Sequence, residues 1–96
     1  MTRIKDWKVE DLSNEQKEIY DAIVNGPRGH VVGPLRIWLN NPGLAKSAQT
    51  VGAYARYGTS LPQALSELAI LTTGRVWSSE FEWEHHAPLA LSLIHI

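Results

Sequence analysis

The sequence contains no cysteine, which excludes a disulfide, a thiolate zinc site and a thiol redox centre. Nor does it hold an apolar run near the ~20 residues that cross a bilayer. The opening stretch MTRIKDWKVEDL is charged throughout and does not read as a secretory leader. These absences predict a cytoplasmic protein without membrane contact. No stretch alternates apolar and polar residues for long, GHVV being too short to count as a strand, and there are no internal repeats. A net charge of −1 supplies no basic excess for nucleic acid.

What is present suits one small soluble domain. A chain of 96 residues buries only ~60–65% of its unfolded surface, so self-association is one way to add burial. An irregular arm, residues 1–12 with Trp7 as its candidate anchor, is expected to precede a single helical domain, residues 13–96. Charge is unevenly spread. Between Ala22 and Ser79 the only acid is Glu67, set against Arg28, Arg36, Lys46, Arg56 and Arg75. That excess suits an anionic small molecule, and scattered bases on a wetted surface would look the same.

Helix signals follow one another along the chain. SNEQ has capping-box form, with Ser13 as N-cap and Gln16 three residues on. Ile19 and Ile23 share a face, and Asn25-Gly26 is expected to end the helix through positive φ. GPRGHVVGP is a loop; Pro34 opens a short helix through Leu39, and Pro42 opens another. That next helix carries Leu44, Ala48, Val51 and Ala55 as a predicted buried stripe. Its small residues Ala45, Ala48, Gly52 and Ala53 would admit a close neighbour. After TSLP, the helix holding Leu61, Leu65, Leu68, Ile70 and Leu71 is apolar nearly all round, which predicts an interior position. Gly74 and WSS separate it from a last helix capped by Ser78 or Ser79, which Pro88 should bend. The fold class is all-α.

Chemistry gathers near the end of the chain. Glu82 and His86 are four residues apart and so neighbours on one helix face. A carboxylate beside an imidazole fixes its tautomer and favours its charged form, which suits a general acid or base. The ordinary use of that spacing is a surface ion pair. Glu67 adds weight to the chemical use, because an acid in an apolar helix needs a partner and burying it alone costs several kcal/mol. His86 and Arg75 are the candidates; bridging to Arg75 would be purely structural. No metal is expected: adjacent His85 and His86 point ~100° apart on a helix, and no HExxH spacing occurs. Arg28 in its glycine-rich loop could meet an anion, although the loop lacks the ending of a phosphate-binding motif.

The segments LSNEQKEIYDAI, GPLRIWLNNPGLA, GAYARYGTSLP and ELAILTTGRVWSSEFEWEHHAPLAL together resemble the carboxymuconolactone decarboxylase family, from about Glu10 to Leu91. The resemblance implies an orthogonal helical bundle of the alkylhydroperoxidase D-like type, assembled as a trimer or hexamer. In that family's redox branch a Glu precedes a Cys-x-x-Cys pair and a His. Carried over, the Glu matches Glu67, the His matches His86, and the cysteines fall on Ser79 and Glu82. Without sulfur, thiol-based peroxide reduction has no nucleophile.

The cysteine-free branch implies decarboxylation of a small carboxylated, lactone-type metabolite, without metal or other cofactor. His86 would act as the acid, Glu82 and Glu67 as the partners that orient it and set its proton affinity. Arg75, Arg56 or Arg28 would hold a substrate carboxylate. A non-catalytic helical oligomer or ligand-binding module of the same fold is the alternative, and a cysteine-free peroxidase a remote third. Family domains continue beyond HAPLAL, so a C-terminally truncated bundle is expected here, with SLIHI as foreign sequence.

Overall fold

A computed structural model of the chain describes residues 3–94. Among them every regular element is helical, as the lack of alternation predicts. Helices α1 (Asn14–Val24), α2 (Pro34–Trp38), α3 (Pro42–Ala53), α4 (Gln63–Val76) and α5 (Glu80–Ile94) follow in order. Two compact units divide the chain, Met1–Tyr57 and Gly58–Ile96. Of the SLIHI stretch, Ser92, Leu93 and Ile94 continue α5, while His95 and Ile96 lie outside the described residues.

In the first unit, local signals act as the sequence predicts. The Ser13 side chain accepts from the Gln16 N–H, and the Gln16 side chain accepts from the Ser13 N–H, closing a capping box. Gln16 does more: its Nε2 donates to the Leu39 carbonyl at 2.7 Å in a buried setting. One side chain thus starts α1 and ties it to the end of α2. Pro34 and Pro42 both stand at the start of their helices, and the Asn41 side chain caps α3 by accepting from the Leu44 N–H. Ile19, Ile23, Val31, Leu35, Leu39 and Ala45 form the core, flanked by Leu12, Tyr20, Val24 and Trp38.

The arm is held. Trp7 Nε1 donates to Asn40 Oδ1 at 2.8 Å, Asn40 Nδ2 donates to the Lys5 carbonyl at 2.9 Å, and Arg36 pairs with Asp6 at 2.7 Å. A single 3-10 turn, Val9–Asp11, links this clamp to α1.

Three expectations are corrected. The end of α1 does not use positive φ: Asn25 lies at −83°, and the left-handed glycines are Gly29 and Gly33 in the following loop. Space is tight at Gly26 instead, since a Cβ there would lie 3.2 Å from the Ala22 carbonyl oxygen. The Leu44–Val51 stripe of α3 is exposed, Val51 to 69%. Helix α3 packs against α1 and α2 through its small-residue face instead, with Ala45 only 1% exposed. Gly52, on the same helix, leaves room for the Arg28 guanidinium, which lies 3.0 Å from where a Cβ would be. Helix α4 is likewise not an interior helix: Leu65 and Leu68 are half exposed. Contact with α5 covers the face of Ser66, Glu67 and Gly74 and leaves the leucines of the other face open.

The double duty of Gln16 predicts an order of stability. Replacing Ser13 by Ala removes one cap bond and should cost about 1 kcal/mol. Gln16→Ala removes the reciprocal bond and withdraws the donor from a buried carbonyl, for a loss of about 2–3 kcal/mol. Urea denaturation followed by circular dichroism would rank the two; equal losses would contradict the link from α1 to Leu39.

Candidate functional site

The second unit is a helical hairpin with a polar seam. Helix α4 starts after Pro62, which supplies a fixed φ just before the first turn. It presents Ser66, Glu67 and Gly74 as its buried positions. A short turn follows, in which Ser78 takes φ 56°. This left-handed conformation is uncommon for a residue with a side chain. Ser79 then serves as the cap of α5: its carbonyl accepts from the Trp83 N–H at 3.2 Å and its Oγ accepts from the Glu82 N–H at 3.4 Å.

The two helices run antiparallel, because Glu67 lies opposite His86 and Gly74 lies opposite Glu82. Gly74 is where they come closest. A Cβ built there would meet Glu82 Cβ at 3.1 Å, so a larger residue would push α5 away. Seven residues separate Gly74 from Glu67, two helical turns, which puts both on the face that meets α5.

His86 is the centre of the seam. Its Nδ1 and Glu67 Oε2 share a hydrogen bond 2.5 Å long, with both side chains almost fully shielded from water. Its Nε2 lies 3.3 Å from Glu82 Oε2. Each ring nitrogen therefore faces a carboxylate oxygen. An imidazole satisfies two such acceptors as hydrogen bonds only when both nitrogens carry a proton, and a single proton can be passed along the row from either end. The Glu82 side chain is 31% exposed. It is the member of the row that reaches open space. Phe81 stacks on His85 with ring centroids 5.7 Å apart. The rings of His85 and His86 meet edge-on at 73°, as adjacent helical residues should.

Two open clefts adjoin the seam. One, of about 360 Å³, is lined by Ala69, Ile70, Thr73, Gly74, Trp77, Ser79 and Glu82. The other, of about 540 Å³, is lined by Gly74, Ser79, Arg75, Glu80, Trp83, Glu84 and Ser78. Gly74 and Ser79 belong to both, so the clefts share an edge.

Of the residues singled out in the sequence, Glu67, Glu82 and His86 are brought together. Arg75 lies in the same unit but lines the second cleft, away from the lining that includes Glu82. Arg28 and Arg56 belong to the first unit, Arg56 resting over the Tyr57 ring at 4.9 Å. Among the described residues no group of three or more His, Asp or Glu side chains is arranged to hold a metal ion. Sequence reasoning took Gly74 for a separator; the structure makes it the contact point of the hairpin, and its two-turn spacing from Glu67 was the available signal. Ile70, Thr73 and Trp77 were also missed as cleft residues, since nothing in an apolar run distinguishes a cleft wall from core. Compared with known proteins, the chain matches no family model, no curated protein and no solved structure.

The shielded pair gives a sharp test. Glu67→Leu or His86→Leu alone leaves the other member without its partner in a dry setting and should cost about 3–5 kcal/mol. The double replacement should recover most of that loss, because no polar group is then stranded. Denaturant melts of the four proteins supply the cycle; additive losses would mean that the pair is not coupled.

Proposed function

We propose that the second unit is a general acid–base site and that the chain is a carboxymuconolactone decarboxylase-like enzyme acting on a small lactone-type acid. One observation carries the acid–base part: His86 stands between the shielded Glu67 and the partly open Glu82, with a ring nitrogen toward each. A proton can be held there, oriented, and passed to the open end of the row. The substrate class comes from the resemblance of ELAILTTGRVWSSEFEWEHHAPLAL to that family.

Decarboxylation fits such a site. The bond to the carboxylate carbon breaks, CO2 leaves, and the electron pair stays on carbon, where it takes a proton. The row Glu67–His86–Glu82 supplies that proton and regains one from water. Arg75 is the only Lys or Arg of the second unit, and it lines the adjoining cleft. It is the candidate for holding a carboxylate that the substrate retains. Peroxide reduction through sulfur has no cysteine to run on.

A non-catalytic helical oligomer is the second reading, favoured by the exposed apolar side chains of α4, α5 and their connecting turn. Leu65, Leu68, Trp77, Phe81, Leu89 and Leu91 all meet solvent, Trp77 to 80%. A trimer or hexamer would cover such surface. The same assembly is also compatible with catalysis.

Incubation with muconolactone-type acids should release CO2, and His86→Ala should lower the rate about 10²–10⁴-fold. Equal rates in the variant would remove His86 from the chemistry. Absence of turnover together with a stable trimer or hexamer in sedimentation would favour the non-catalytic reading.

A further inference from the structure

We infer that Glu82, and not His86, is the group that touches the substrate, and that the part of the substrate reaching it is apolar and uncharged. This inference rests on the acid–base reading of the seam and assigns its parts. Three observations carry it.

First, exposure runs one way along the row. The side chains of Glu67 and His86 are 3% and 6% exposed, whereas that of Glu82 is 31% exposed. A molecule arriving from solvent meets Glu82 before it can approach the imidazole. Second, Glu82 lines the smaller cleft, and neither Glu67 nor His86 is part of its wall. Third, that wall is chemically plain. Ala69, Ile70 and Trp77 are apolar, and the Thr73 hydroxyl is already engaged, donating to the Ala69 carbonyl at 2.8 Å. Ser79 Oγ accepts from the Glu82 N–H. Among the described residues no Lys, Arg or His lines this cleft.

A carboxylate at the end of an apolar cleft without a cation repels an anion and welcomes a neutral group bearing a proton. A ring or ester portion with a carbon that gains or loses a proton satisfies both demands. Any carboxylate the substrate keeps would extend over the shared edge at Gly74 and Ser79 into the cleft of Arg75. His86 and Glu67 are then positioning residues: they hold and recharge the proton of Glu82 without meeting the substrate.

An aromatic epoxide, 1,2-epoxy-3-phenoxypropane, is a suitable probe. It offers an apolar ring to the cleft, and a carboxylate oxygen opens the epoxide to form an ester while the released oxygen takes a proton. Peptide mass mapping of the intact protein after timed exposure reads which glutamate is esterified. Glu82 should react at least tenfold faster than Glu80 and Glu84, which lie on the same helix and line the Arg75 cleft but not the smaller one. Thr73→Asp, an exposed position in the cleft wall, should remove that preference, because a hydrated charge in the apolar wall excludes the phenyl ring, while Glu80 and Glu84 react as before. A second variant, Ile70→Asp, should do the same.

Equal rates at all three glutamates, or earlier modification of Glu67 or His86, would overturn the assignment. Selective esterification of Glu82 in a protein that turns over no muconolactone-type acid keeps the cleft assignment and sinks the decarboxylase reading. His86-dependent turnover that survives Glu82→Gln keeps acid–base chemistry and sinks the role of Glu82.

Discussion

The second unit depends on one carboxylate held out of water. Glu67 sits at 2% exposure in a helix of leucines and alanines, where an ionised acid without a partner would cost several kcal/mol. His86 meets it from the opposite helix. The pair sets the register of the hairpin, since a shift of α5 by one residue would replace His86 with His85 or Ala87 at that point and turn the imidazole about 100° away. Gly74 makes the distance possible. Without a side chain there, α5 can approach until His86 meets Glu67, while Glu82 faces the ring's other nitrogen from one turn away on α5 itself.

The two units are built on opposite principles. In the first, Ile19, Ile23, Leu35 and Leu39 exclude water, and a single buried amide, Gln16, ties two helices together. In the second, the positions most shielded are Ser66, Glu67, Gly74 and His86, while leucines and tryptophans face outward. A polar seam between two helices gives little hydrophobic stabilisation. It gives direction instead, because each hydrogen bond demands one partner at one angle. Specific geometry at modest stability is a combination that active sites share with other strained or polar sites.

Features fixed within a few residues were legible in the sequence. The capping box at Ser13, the prolines opening α2 and α3, and the cap role of Ser79 all depend on neighbours in the chain. Glu67 and His86 were legible for a different reason: an isolated acid among apolar residues must be paired, and few partners were on offer. What periodicity could not tell was which side of a helix would be covered. The stripe of Leu44 and Val51 is regular, yet the packed face of α3 is that of Ala45. Small residues allow helices to approach, and close approach took precedence over the bulk of the leucine stripe. The arginines were the least legible, because a charge on a flexible stem carries no direction until its neighbours are placed.

Position 82 is where the row meets open space, so the atom it carries decides what the seam can do. Here Ser79 caps α5 and Glu82 carries a carboxylate at the open end of the row. A sulfur in that place would exchange electrons with whatever enters the cleft, with the histidine behind it moving the proton. An oxygen acid cannot take part in the electron step, but it can still use the same histidine and the same shielded glutamate. A carboxylate at the exposed end therefore limits the row to handling protons, while Glu67 and His86 behind it fix the geometry in which a proton could move.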